Sequence, residues 1–309
     1  MWTLTEAAKM TNDVLLKGII ATIIKESPIM DKLPFRPIRG NGWTYNRETT
    51  LPTVGFYSVG DTWVESSGTR TQYTASLKIL GGDIDIDEFE RQTMSDQQSL
   101  EATNIEEKSK GMAHGFEDAF VYENVSTNAK AFDGLHALVA SAQKKHAGSG
   151  STGAAGSMAK LDQMINLVKP KRPDLLMTTR EIQTRITQYY RDGTAGAAFQ
   201  MIPGKDGIPL AFYGGIPILV NDFQTMTETI SGDDYSAKTG GATGTIFAMK
   251  FGPKLLCGGE NGGIQKKRIG DLETKDAVRW RIKWYVTVAL LSTLALARYD
   301  GITDAAFTD

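Results

Sequence analysis

The sequence predicts an α+β fold, and three observations carry that expectation. Val278, Trp280, Ile282, Trp284, Val286, Val288 and Leu290 alternate with Arg279, Arg281, Lys283, Tyr285 and Thr287, which predicts one very long strand. At ~3.3 Å per residue it would reach about 40 Å, enough to run through two subdomains and tie them together. Leu100, Ile105, Met112, Phe116, Ala119 and Phe120 mark an apolar stripe on a helix from Ser95 to about Asn124, again about 40 Å at ~1.5 Å per residue. Residues 44–80 read as a long hairpin of β-branched and aromatic residues, turning at Glu65-Ser66-Ser67-Gly68.

The remaining elements follow in order. Ala8, Leu15, Ile19 and Ile23 predict a weakly amphipathic helix over residues 5–26. Pro28, Pro34 and Pro37 with Gly40 and Gly42 then predict an extended arm. The hairpin has too few large aliphatic residues for a core of its own, so it must pack on something else or stand in solvent. Asp83-Ile84-Asp85-Ile86-Asp87-Glu88-Phe89 alternates as a strand. Ser95 with Gln98 forms a capping box for the long helix, in which Gly111 and Gly115 predict a bend or a close backbone contact.

Phe132-Asp133-Gly134-Leu135 reads as a turn, and residues 147–157 as a Gly/Ser/Ala linker at a domain boundary. A helix through Met158, Leu161, Met164, Ile165 and Val168 stops at Pro170; Asp174-Leu175-Leu176-Met177-Thr178 is a buried strand. Thr178 with Glu181 caps a further helix through Ile182, Ile186 and Tyr190, closed by Gly193. Gly214-Gly215 turns into a strand over residues 216–221, and residues 230–244 form a long exposed loop. Two more strands, 245–251 and 263–269, flank a turn at Gly258-Gly259-Glu260-Asn261-Gly262.

Composition narrows the function classes. The 34 basic and 36 acidic residues leave a formal charge of −2, which argues against free-standing nucleic-acid binding. A single cysteine, Cys257, excludes an intramolecular disulfide and makes cytosolic assembly the expectation. The N-terminal residues lack a signal-peptide pattern, and the longest apolar run, residues 284–297, is broken by Thr287, Ser292 and Thr293; a soluble chain with no membrane partner is expected.

A search for chemistry finds none. His114, His136 and His146 lack zinc spacing, no serine stands in a nucleophile elbow, and Cys257 has no activating neighbour in sequence. Gly204-Lys205 lacks the rest of a phosphate loop, with Phe199 and Asp206 in the wrong places. A calcium loop over the alternating aspartates would need glycine where Glu88 stands. No catalytic, cofactor-binding or metal-binding residue is expected; dispersed carboxylates leave a soluble hydrolase as a reading of another class.

The order of elements is similar to the Hong Kong 97-type major capsid protein of tailed bacteriophages, over nearly the whole chain. Leu51-Pro52-Thr53-Val54-Gly55-Phe56 through Leu77-Lys78-Ile79-Leu80 resembles that family's extended E-loop, and residues 95–124 its spine helix. Asp174-Leu175-Leu176-Met177, Gly215-Ile216-Pro217-Ile218-Leu219-Val220-Asn221-Asp222 and Asp276-Ala277-Val278-Arg279-Trp280-Arg281 follow in the same order. The resemblance implies an N-terminal arm (1–43), an E-loop (44–80), a peripheral domain (81–156, rejoined by 274–309) and an axial domain (157–273), with the loop at 230–244 near a ring axis.

It also implies self-assembly through pentamers and hexamers into an icosahedral shell around double-stranded DNA, contacted non-specifically, in a virion capsid assembled in the host cytoplasm. The other partners implied are a portal and, because the arm begins almost at Met1, a separate scaffolding protein or none rather than a fused one. Candidate inter-subunit contacts are Trp63, Glu65, Arg70, Tyr73 and Lys78 on the hairpin, and Asp233, Asp234 and Tyr235 in the loop. An encapsulin, a cellular shell of the same fold, is the nearest alternative. The basic face of the long strand reads as a solvated or paired face, with contact to enclosed nucleic acid as the sharper alternative.

Overall fold

The computed structural model describes residues 28–88, 97–148, 150–191, 199–203, 209–232 and 234–308. The helix expected over 5–26, Ser95 of the first capping box and Gly193 lie outside them.

Two sheets organise the chain. The first has the order β1 (Phe35–Pro37), β13 (Leu256–Asp271), β14 (Ala277–Leu290), β4 (Lys78–Asp87). The expected alternation buries Ile282, Trp284, Val286 and Val288 against the long helix α2 (Gln97–Tyr122), where Phe116 and Phe120 meet them. The Trp284 ring lies 5.0 Å from Phe116 and 5.3 Å from Phe35. On the opposite face, register sets Arg281 beside Asp83 and Arg279 beside Asp85, and each guanidinium grips its carboxylate with two hydrogen bonds of 2.6 and 2.7 Å. The basic face of β14 and the acidic face of β4 thus answer each other.

The second sheet has the order β5 (Lys144–His146), β15 (Leu296–Thr303), β12 (Thr243–Met249), β6 (Leu175–Thr178), β9 (Ile216–Val220), β8 (Pro209–Tyr213), β7 (Phe199–Pro203). Helices α4 (Met158–Leu167) and α5 (Arg180–Arg191) pack with Leu176, Ile218, Ile246 and Tyr299, while Leu175, Met177 and Phe247 face the core under α2. Both faces are covered, which is why β6 reads as an unbroken apolar run.

Several expectations are corrected. The long strand β14 stays within the first sheet; the tie to the second is a 3₁₀ turn at Thr293–Ala295 leading into β15. Gly258 and Gly259 do not turn but lie inside β13, because a Cβ at Gly258 would stand 2.5 Å from the Phe35 ring and one at Gly259 2.7 Å from Trp43. The arm is not wholly extended: Pro28 opens a helical turn, α1 (Pro28–Lys32), which buries Ile29 and Leu33 four residues apart on one side. The helix α2 is unbroken and, among the described residues, nothing would meet a Cβ at Gly111; the tight contact falls on Gly134, where a Cβ would stand 2.6 Å from the Ala119 carbonyl oxygen, ahead of the short helix α3 (Leu135–Leu138).

The Gly/Ser/Ala stretch 147–157 is no free linker. Its backbone is bonded along β15 and beyond, with Ala154 N–H donating to Gly301 O and Thr308 N–H to Gly156 O, both 2.9 Å. Its small residues allow that approach: a Cβ at Gly156 would run into the Phe307 ring. The cap of α5 is Thr179, whose hydroxyl accepts from Ile182 N–H at 3.4 Å, while the Thr178 hydroxyl faces inward to the Thr245 carbonyl. Residues 230–244 are not a long exposed loop. They include most of a short hairpin, β10 (Thr229–Ser231) and β11 (Asp234–Ala237), docked between α2 and β15 through Lys238 on Asp118 and Asp234 on Arg298.

Candidate functional site

The predicted hairpin is present, with a shorter ladder than expected. Strands β2 (Gly42–Thr50) and β3 (Thr69–Ser76) pair antiparallel with one register shift between Glu48 and Thr50, and three threonine pairs bond across the ladder at 2.7–3.3 Å: Thr44–Thr74, Thr49–Thr71 and Thr50–Thr69. Residues 78–80, assigned to the hairpin from sequence, belong to β4. The turn sits at Gly60, with φ +93°, and not at 65–68.

Alternation along β2 roots the hairpin in the body. Trp43 packs toward Gly259, the Tyr45 hydroxyl donates to Leu290 O at 3.2 Å, and Arg47 Nε donates to Leu291 O at 3.1 Å. The Arg47 guanidinium also donates to Leu290 O and lies 4.2 Å over the Tyr73 ring. The carbonyls of Leu290, the last residue of β14, and of Leu291 just past it thereby receive side-chain donors.

Beyond Thr50 and Thr69 the tip has no core. Leu51, Val54, Phe56, Val59, Trp63 and Val64 are each at least 73% exposed, Phe56 fully so. Among the described residues local bonds shape it: Tyr57 stacks on Trp63 at 4.4 Å, Asp61 accepts from Ser58 N–H at 2.6 Å, and Ser66 donates to Thr53 O at 2.9 Å. A monomer rarely leaves so contiguous an apolar patch in water unless a partner covers it.

The sequence-predicted contact residues fall in three places. Trp63 and Glu65 lie on the exposed tip, and Arg70 one residue into β3. Tyr73 and Lys78 serve the root: Tyr73 stacks with Tyr45 at 6.0 Å, and Lys78 donates to Ala129 O at 2.7 Å. Asp233 is outside the described residues. Asp234 and Tyr235 are engaged within the chain, far in character from the tip. Sequence reasoning did not single out Val54, Phe56 and Val59, which the structure leaves exposed on the tip; their signal was a set of large apolar residues in a segment with no core of its own.

Asp234 and Tyr235 stand at the half-buried edge of an ionic cluster whose other members Arg298, Asp300, His136 and Glu228 are buried. Asp234 pairs with Lys144 and Arg298, Arg298 reaches Asp300 at 2.7 Å, and Asp300 contacts His146, so charges of alternating sign cross β11, β15 and β5. Burial pushes Asp234 up, but Lys144 and Arg298 outweigh it and hold its carboxyl below the usual range; burial keeps Asp300 above it. His136 is stacked on Tyr235 at 3.7 Å and receives a donor from Arg298 at Nδ1, so its Nε2 faces Glu228 at 3.4 Å. Burial lowers the His136 pKa, keeping the ring neutral. Glu228 in turn accepts from Tyr122 at 2.7 Å and Thr245 at 2.5 Å.

This cluster joins α2, α3 and the second sheet, and nothing in it is arranged for nucleophilic attack. Cys257 is buried, its thiol pushed up to about 11 by burial. Among the described residues no group of three or more His, Cys, Asp or Glu side chains is placed to hold a metal ion, and no helix is long and apolar enough to cross a membrane.

A long helix against a sheet of long strands, a coreless hairpin and a second α/β sheet together make the Hong Kong 97-type capsid fold. Solved structures match it across most of the chain. The holo-SrpI encapsulin complex from Synechococcus elongatus PCC 7942 is 15% identical, covers 91% of this chain and 89% of its own, and has a TM-score of 0.66. The capsid of an empty GTA particle is 9% identical, with 90% of each chain covered and a TM-score of 0.63. A structure from Microbacterium phage Oxtober96 is 14% identical, with 90% of each chain covered and a TM-score of 0.61. No protein-family model and no curated protein sequence matches the chain.

Proposed function

We propose that this chain is a shell subunit: copies of it associate into a closed container, in which the tip of each hairpin is covered by a neighbouring copy. The observation that carries this reading is the exposed apolar tip, six large side chains held out on a rooted ladder that none of the described residues covers. Burying about 1,000 Å² or more per contact would make a stable association from such a patch.

Within that class, the reading is a major capsid protein enclosing double-stranded DNA in a phage virion, built through pentamers and hexamers with a portal and a separate scaffolding protein. The division into arm, E-loop, peripheral and axial domains belongs to this proposal, with Trp63, Glu65 and Arg70 among the subunit contacts. Near-neutral charge suits a wall that confines DNA without a counterion-releasing grip on it. The likeness to an encapsulin supports a second reading, a cellular compartment with protein inside.

Negative-stain microscopy of the chain expressed alone tests the class; closed shells or five- and six-membered rings are expected, and small monodisperse particles at every salt and concentration would overturn it. Contents of shells from the native source separate the two readings: nuclease-protected DNA supports the capsid, and a co-purifying enzyme the compartment.

A further inference from the structure

We propose that Asn261 modifies itself: in the folded chain the backbone nitrogen of Gly262 closes onto the Asn261 side chain, which passes with time into isoaspartate and aspartate. The inference goes beyond the shell reading and does not depend on it. The sequence holds two Asn-Gly pairs, Asn41-Gly42 and Asn261-Gly262. Glycine is the neighbour that leaves its amide nitrogen open to the side chain before it, because no Cβ shields that nitrogen. Backbone freedom then decides whether the attack happens. Ring closure must turn the asparagine's peptide plane away from the extended form, so an asparagine tied into a ladder closes slowly.

The two pairs differ in this respect. Asn41 is tied: Leu77 N–H donates to its carbonyl at 2.8 Å, and Gly42 pairs with Ser76 at the start of β2, where a Cβ would stand 2.4 Å from the Ala75 carbonyl oxygen. Asn261 lies at a bulge. Strand β13 is in register with β14 at Glu260 and Val286 and again at Ile264 and Trp284, so Asn261, Gly262 and Gly263 stand opposite Tyr285 alone. Gly262 has φ +72° and Gly263 φ +63°, and a Cβ at Gly262 would stand 2.6 Å from the Gln265 side-chain nitrogen. The bulge therefore demands glycine at 262, and that same glycine supplies the unshielded nucleophile. Gly262 is exposed, which admits water to the site.

Water is the only co-reactant. The Gly262 nitrogen gives up its proton and bonds to Asn261 Cγ, the Cγ–Nδ2 bond breaks, and ammonia leaves, giving a five-membered succinimide. Water then opens that ring at one carbonyl to give aspartate or at the other to give isoaspartate, in which the backbone runs through the side chain. Either product adds a negative charge next to Glu260, which holds Trp284 Nε1 at 3.0 Å, so the change is written beside a contact of the core.

Mass spectrometry of the full chain, kept folded at mildly alkaline pH over weeks and then digested with trypsin, tests this. The peptide of residues 255–266 is expected to gain about one dalton and to split into two products, one of them labelled by an isoaspartyl methyltransferase. With each rate divided by its value in urea, Asn261 is expected to convert about tenfold faster than Asn41 in the folded chain. Asn261→Gln, whose ring would need six members, is expected to abolish the gain in this peptide and to melt with the parent. No gain in the folded chain, a gain without isoaspartate, or equal normalised rates at Asn41 and Asn261 would overturn the proposal and leave the shell reading intact.

Discussion

Trp284 shows how much one residue holds in this fold. Its ring meets Phe35 and Phe116, and its Nε1 donates to Glu260 at 3.0 Å, so it joins β1, α2 and β13. Trp284→Ala is expected to destabilise the chain by about 3–5 kcal/mol, read as a urea midpoint shift, through lost burial and an unfilled cavity. Gly258→Ala fails for the opposite reason: the new methyl would sit against the Phe35 ring, and about 1–3 kcal/mol of overpacking is expected by the same measurement. An unchanged midpoint for either variant would contradict the packing described. The tryptophan's role was legible from alternation alone. The glycine's was not, since Gly-Gly reads as a turn until the ring that presses on it is in view.

At the scale of elements, the hairpin separates root from tip. The ladder and the bonds of Tyr45 and Arg47 to the end of β14 belong to the folded body; among the described residues, 51–68 make only local bonds. Replacing residues 53–66 by a short Asn-Gly turn is therefore expected to leave the melting temperature within a few degrees of the parent, since few buried contacts are lost, while abolishing closed particles in micrographs. A truncated chain that still closes shells would refute the role of the tip. The hairpin's existence followed from β-branched alternation, but its boundaries did not. Lys78, Ile79 and Leu80 continue the same alternating pattern into another sheet, and only pairing with β14 shows where the hairpin ends.

At the scale of the molecule, acid should weaken the fold in a definite window. Hydrogen bonds from Arg281 and Arg279 hold Asp83 and Asp85 below the usual carboxylate range, and Lys144 and Arg298 do the same for Asp234 against its burial. A depressed carboxylate contributes stability that is complete above its unfolded pKa of about 4 and is lost as pH falls through its folded value. Asp300, raised by burial, acts with the opposite sign and softens the loss. The melting temperature of the unassembled chain is expected to be nearly flat from pH 7 to about 5 and to fall below about 4. Asp83→Asn should make that acid fall shallower; an identical slope would remove this ion pair from the account.

The sequence by itself determined the periodic elements: the alternating strand, the long amphipathic helix, and a hairpin without a core. Local side-chain spacing encodes these, because a buried face must repeat every two or every 3.6 residues. It also showed that the hairpin has too few large aliphatic residues for a core of its own. Tertiary structure alone decided what the glycines and short polar segments do. Gly258, Gly259, Gly156 and Gly134 stand where another group comes within contact of the backbone, and the docked hairpin of Asp234 and Tyr235 closes on groups some 60 to 100 residues distant in sequence. Such contacts have no period and leave no trace in neighbouring residues, so a close approach looks the same as a turn, and a docked segment the same as a loop, until the chain is folded.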